Sequence, residues 1–467
     1  MKLELLLEVV SLRDALNCYL LKNSILVEQD RNYFLTLTIA YSNQNRTYNM
    51  AKYVSLILTR FLFLFCILFV LCFNNGAFPF LYYIQKFSIP ALQSFIPWFA
   101  QKYLSLSYQI TTFTNGSGDT TYDYVLLLCV FLVSFFGTII WSALDRDRKS
   151  HDQLFYWTIV VCRFYVGFML VHYGIAKLND GQFPSLYLSQ LTTTYGDSSP
   201  MGLAWRFLGF SDGYKWFMFT AEMMGVLLFF RKTATIGAFL CLMTSANIMA
   251  INYFYDVPVK LLSTALVLMC LIILSPNIRI LFKFFFKGEL VRLNLLKAPV
   301  FKTKWARISK IVLKYAAVLL YAAIPLFTAL NIALISKKTN NKPVVYGAYD
   351  IEEIKSEKNG PLPDTSFLSR KLELVAFDRN DYAVIKYNGT ETAWCTYKVL
   401  QTSKTLDISF TDNPKVTYKL NYQFPDSNKL ILKGNLFGTP ATITLKRKKY
   451  QLAERPFRWI SEHPYNR

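Results

Sequence analysis

The sequence predicts an all-α, multi-span membrane bundle of about seven transmembrane helices followed by a small antiparallel β domain. Three observations carry that prediction. Hydrophobic residues make up 53% of the 467 and charged residues 17%, with a mean hydropathy of +0.26, an apolar excess that needs lipid to cover it. Seven apolar segments are long enough to span a bilayer. The last stretch of about a hundred residues instead alternates apolar and polar side chains with turn signals between the runs.

A helix needs about 20 mostly apolar residues to cross about 30 Å of hydrocarbon. Segments 54–73, 122–144, 154–176, 214–230, 234–254, 258–275 and 311–335 meet that requirement. Residues 77–100 are aromatic but contain Pro79, Pro90 and Pro97, which points to short interfacial helices on the outer face. Residues 1–49 hold no spanning segment and no signal peptide, and Met50-Ala-Lys-Tyr precedes a span directly. They are expected to be a poorly ordered cytoplasmic extension or a translated upstream region, with an amphipathic helix over 1–22 as the alternative.

Orientation follows from lysine and arginine in short loops. Asp145-Arg-Asp-Arg-Lys149, Arg231-Lys232 and the stretch from Arg279 to Lys314, with ten basic residues and one acid, fall on one side in a seven-span count. That side is expected to be cytoplasmic, whereas loop 74–121 carries only Lys86, Lys102 and Asp119. The C terminus is then expected to be extracytoplasmic. The chain divides into 1–49, two spans with an outer interfacial region over 50–150, a four-helix core over 151–290, a basic linker and seventh span over 291–336, and the β domain over 337–467. Strands are expected at 372–377, 382–387, 394–400, 405–410, 416–422, 429–433 and 441–446, forming a sandwich or barrel.

The formal charge of +21 suggests nucleic acid, but the basic residues sit beside apolar spans, not among stacking aromatics, so none is expected as a partner. The expected partners are the lipid bilayer and other membrane or periplasmic proteins. Eight scattered cysteines without a Cys-x-x-Cys, and only His151, His172 and His463, argue against a disulfide scaffold or a metal centre. No nucleophile triad, paired carboxylates or phosphate-binding loop is visible.

Ionisable residues at bilayer depth are costly and are paired, face a cavity or serve function. Arg163 and Glu222 sit near the midpoints of antiparallel spans and are expected to contact each other, with Asn247 completing their hydrogen bonding and Asp256 as the next partner for Arg163. Nearer the outer surface come His172, Lys177, Asn252, Asp256 and Lys260. The plainer readings are a packing ion pair at Arg163 and Glu222, snorkelling lysines, a neutral hydrogen-bonded His172, and Arg60 as a positional anchor.

A resemblance enters on Arg163-Phe-Tyr-Val-Gly167, His172-Tyr-Gly-Ile-Ala-Lys177, Tyr195-Gly-Asp-Ser-Ser-Pro-Met-Gly202, Glu222, Phe229-Phe-Arg-Lys-Thr233, Asn247 and Asn252-Tyr-Phe-Tyr-Asp-Val-Pro-Val-Lys260. Over 163–285, about a quarter of the chain, this pattern resembles the DoxX family of small four-helix membrane proteins, in particular its longer Bacteroidota-type members. The resemblance implies a subunit of a quinone-linked oxidoreductase, as some relatives are, or a role in redox homeostasis, if there is enzymatic activity. Three readings follow: a protein binding a quinone or other lipophilic redox molecule among spans three to six, a structural or assembly protein presenting the β domain, and a small-solute transporter.

Overall fold

The computed structural model describes residues 50 and 52–464 apart from 79, 114–115, 179–180, 297, 300, 339–341, 357–370, 380, 390 and 437–438, so the expectation for 1–49 lies outside the described residues. Among the described residues, six helices are long and apolar enough to cross a membrane by length and composition. They are α1 (Lys52–Cys72), α3 (Thr121–Leu144), α4 (Asp152–Leu178), α8 (Ala234–Phe254), the continuous helix Lys260–Lys287 and the continuous helix Lys304–Leu334. The last two begin as α9 (Lys260–Leu274) and α11 (Lys304–Val318) and continue as α10 (Ile278–Lys287) and α12 (Ile324–Lys338).

The segment expected as a span over 214–230 is built differently. It forms α7 (Asp212–Met223), capped by the Ser211 hydroxyl, and passes into a tighter 3-10 turn over Met224–Phe229. Six helices therefore qualify by length where seven apolar segments were expected. The short helices expected over 77–100 are likewise one helix, α2 (Leu81–Leu104), with Pro90 and Pro97 inside it. Seven residues is close to two turns, so both missing donors fall on nearly the same side and the helix survives them.

Two ends of the bundle are fixed by polar contacts. At one, Gly118 donates its N–H to Pro258 O, and the Asp119 carboxylate accepts from the N–H groups of Lys260 and Leu261 at 2.6 and 3.0 Å. Thr120 and Asp123 close a reciprocal cap there and start α3. At the other, Arg60 donates to Ser142 Oγ and Asp145 O at 2.9 and 2.7 Å, so it joins two helix ends. Asn277 bonds Thr235 and the Asn294 backbone at that same end. The helices run up and down between these ends, and α4 is central: 67% of its apolar window is buried, against 11–39% for the other five.

Eight strands follow: β1 (Gly347–Ser356), β2 (Leu372–Phe377), β3 (Tyr382–Tyr387), β4 (Glu391–Leu400), β5 (Thr405–Phe410), β6 (Thr417–Asp426), β7 (Lys429–Leu436) and β8 (Thr439–Lys448). Each pairs antiparallel with the next and β1 closes on β8, which makes a barrel without free edges. The seven expected strands all form, and β1 is an addition. Alternate residues such as Leu406, Leu430 and Leu445 point inward and are fully buried.

The barrel rests on the bundle at the short helix α5 (Leu188–Leu191). There Leu188 donates its N–H to the Asp378 carboxylate, Lys386 reaches Thr192 O, and Leu188 packs with Ala348, Leu374 and Ala376. Burial pushes the Asp378 carboxyl above the ordinary carboxylate range, with the backbone donors at Arg379 and Leu188 opposing.

Candidate functional site

The close approach of α4 to the 212–229 segment begins with glycine. A Cβ at Gly167 would lie 2.7 Å from the Phe229 ring and 3.1 Å from Gly225 O, and one at Gly225 would lie 3.0 Å from Gly167 O. Larger side chains would hold the two backbones apart. One stretch further along, Gly174 lies against Phe219 O and the Glu222 Cβ. This antiparallel run brings the last turns of α4 beside α7, and there Lys177 meets Glu222 near the C-terminal end of α7.

Lys177 Nζ lies 2.7 Å from both Glu222 oxygens, 2.8 Å from Gln182 Oε1 and 3.4 Å from Tyr173 O. Its ammonium also faces the rings of Phe183 and Tyr173 at 5.3 and 5.9 Å. Lysine and glutamate are 4% and 2% exposed, so the pair is removed from solvent. A buried pair of this kind is tolerable only when its donors are satisfied, which Gln182 and the Tyr173 carbonyl accomplish.

The pair forms part of the wall of a cavity of about 360 Å³. Helix α6 (Pro200–Phe210) contributes Trp205, α7 contributes Tyr214, Phe217 and Ala221, and α8 and α9 contribute Met243, Ile248, Ile251 and Leu266. Thr244, Asn247, Asn252 and Ser263 add isolated polar groups. The volume falls within the range of about 300–1,000 Å³ typical of small-molecule sites, and apolar walls with few polar groups are their usual composition. Chemically, the arrangement can seat an apolar body and offer the Glu222 carboxylate and the Asn247 amide to a polar head.

Four of the eight candidate residues, Lys177, Glu222, Asn247 and Asn252, line this cavity, and four do not. The expected Arg163–Glu222 contact is absent: Arg163 Nε donates to Leu228 O at 2.8 Å, and Lys177 is the partner of Glu222. The reason is register. Antiparallel packing sets Arg163 against Leu228, six positions beyond Glu222, and the 3-10 geometry of 224–229 stretches that interval further. Asp256 does not take up Arg163 either. It pairs with Lys260 at 3.0 Å, which also lies 3.9 Å from Asp119 at the helix-end junction. His172 turns toward the last span, its Nε2 lying 3.1 Å from Tyr321 O in the π-helical turn Leu319–Ala323. Asn252 lines the cavity while its amide donates to Val259 O at 3.3 Å.

Gln182, Phe183, Trp205, Tyr214 and Phe217 belong to the site without having been singled out in the sequence. Their density of aromatic residues around the Tyr195–Gly202 string was the available signal.

No protein-family model matches the chain, and no solved structure matches it. A stretch of 115 residues, 24% of the chain, is 36% identical to the uncharacterized protein YwoB of Bacillus subtilis (strain 168) and covers 71% of that protein. By this identity and coverage, the chain belongs to the same protein family as YwoB.

Proposed function

We propose that the protein is a multi-pass membrane protein that binds a lipophilic molecule with a polar head in the cavity among α4, α7, α8 and α9, a quinone being the redox class that the DoxX resemblance implies. The observation behind this reading is the apolar cavity with the fully desolvated Lys177–Glu222 pair in its wall. In it the head group accepts from the side-chain amide of Asn247, while Met243, Ile248, Ile251 and Leu266 enclose the apolar part. Any enzymatic role is that of a subunit in a quinone-linked oxidoreductase, with the redox partner supplied by another protein.

The proposed setting is a bacterial inner membrane with the basic end of the bundle in the cytoplasm and the barrel outside. Arg146, Arg148, Lys149, Arg231 and Lys232 cluster toward the end opposite the barrel, as the positive-inside rule demands of a cytoplasmic face. Reporter fusions at residues 148 and 340 are then expected to give opposite signals, and equal signals reject the topology.

The binding test is purification in mild detergent followed by mass spectrometry of co-purifying lipophilic molecules, alongside Ala221→Phe, which fills the cavity from α7. Retention of a quinone or related lipophile by the wild type and its loss from the variant are expected. A wild type that carries none and shows no tryptophan quenching on quinone titration overturns the reading. A second reading has its own observation: the lysine donors are already taken by Glu222, Gln182 and Tyr173, which suits a packing device that holds α4 and α7 in a protein presenting its barrel to partners.

A further inference from the structure

A second cavity, of about 460 Å³, lies at the seam where the barrel meets the bundle, away from the Lys177–Glu222 pair. Its lining includes five cationic side chains, Lys342, Arg379, Arg447, Lys448 and Arg455, and two acidic ones, Asp212 and Glu454. Asp212 is held by Lys215 at 2.9 Å, and Lys448 by Asp350 at 3.0 Å. Asp378, beside Arg379, spends its carboxylate oxygens on the N–H groups of Leu188 and Arg379. The balance of the cavity is therefore positive.

Two further facts point to an acceptor-rich ligand. Arg379 Nε and the Tyr450 hydroxyl, on two cavity-lining residues, are buried donors without a hydrogen-bond partner among the described residues. Leaving such donors unmet costs about 1–3 kcal/mol each. Burial pushes the Tyr450 phenol up to about 12, so it stays protonated and able to donate at neutral pH. Lys342 and Arg379 both lie over the Tyr346 ring, at 4.9 and 5.8 Å, so the same aromatic side chain positions two of the cations at the seam.

We propose that this seam is a binding site for a phosphate-class anion, recognised by Arg379, Tyr450 and the surrounding cations through charge-assisted hydrogen bonds. The cavity opens where α7 begins and the barrel rests, with the exposed Phe210 and Leu452 at its lining, so the phosphate can belong to a lipid headgroup or to a soluble molecule. The site stands independently of the quinone reading, since it shares no residue with the first cavity.

The test uses the full chain in nanodiscs of phosphatidylcholine alone, of phosphatidylcholine mixed with phosphatidylglycerol, and of phosphatidylcholine with added inorganic phosphate at constant ionic strength. Thermal unfolding and native mass spectrometry are read for each. A rise in unfolding temperature with phosphatidylglycerol only assigns a lipid headgroup, and a rise with inorganic phosphate assigns a soluble phosphate. Arg379→Gln should weaken the effect about ten-fold, the loss of one charge-assisted bond. Tyr450→Phe, which keeps the ring and tests the hydroxyl alone, should weaken it in the same direction, whereas Lys415→Gln on the exposed loop before β6 should leave it unchanged. Absence of any anion-dependent rise, or an equal rise in all three variants, overturns the proposal.

Discussion

The barrel interior and the cavity of the bundle are both lined by aliphatic and aromatic side chains, yet one is full and the other hollow. Inside the barrel the remaining void is about 30 Å³, whereas the bundle keeps about 360 Å³ beside two buried charges. A void costs roughly 24 cal/mol per Å³ where packing could have closed it. The barrel closes because strands of period two point a continuous set of apolar residues at one axis. The bundle stays open where Gly167 and Gly225 let α4 and the 3-10 turn after α7 approach closely at one level, while the ion pair with Gln182 holds α4 and α7 in a fixed arrangement beyond it. Apolar character alone therefore does not make a core; the backbone must also let the side chains converge.

The sharpest way to break this comparison is to remove one charge. Glu222→Ala leaves Lys177 buried without its counterion and should cost about 3–5 kcal/mol in detergent unfolding, with the double change Lys177→Ala, Glu222→Ala recovering much of it. Simple additivity of the two losses would show that the contact carries no coupling. For the barrel, Leu406→Ala opens a cavity in a filled core and should cost about 3 kcal/mol, seen as earlier alkylation of the buried Cys395 in a denaturant series. If Leu406→Ala proves neutral, the barrel is looser than its packing implies.

Gly167→Val tests the level of closest approach. Its added methyl groups collide with Phe229 and Gly225, for an expected loss of about 2 kcal/mol and a shifted Lys177–Glu222 contact. An unchanged unfolding temperature would mean that the helices separate at no cost. The smallest effect is expected at Asp378→Ala, about 1 kcal/mol, measured as increased proteolysis between bundle and barrel. Asp378 also sets a direction with pH. Burial raises its folded pKa, so the folded state holds the proton more tightly than the unfolded one. The stabilising contribution is present below the unfolded value and is lost as pH rises through the raised folded value. A wild type and an Asp378→Ala variant with the same pH profile would remove Asp378 from that account.

Much of this architecture was legible in the residues. Six of the seven apolar segments match helices of spanning length, because a run of about 20 apolar residues leaves few alternatives. The seven strands were legible from alternation and turn residues, while β1 was hidden by Asp350, Glu352, Glu353 and Lys355. Those charges sit on the barrel exterior, where Glu352 meets Lys429 at 3.1 Å and Asp350 meets Lys448 at 3.0 Å, partners 77 and 98 positions away in the chain. Lys177, Glu222, Asn247 and Asn252, singled out because polar groups at bilayer depth are few, line the cavity.

The sequence by itself determined the division into an apolar bundle and an alternating β domain, and it marked which polar residues had to find partners. Only the tertiary structure decided who those partners are. Depth estimated from segment midpoints placed Arg163 opposite Glu222, but side-chain pairing depends on helix register, and register here is set by glycine contacts and a 3-10 turn that change the rise along the chain. Lys177 rather than Arg163 therefore holds Glu222, and the cavity forms beside that pair.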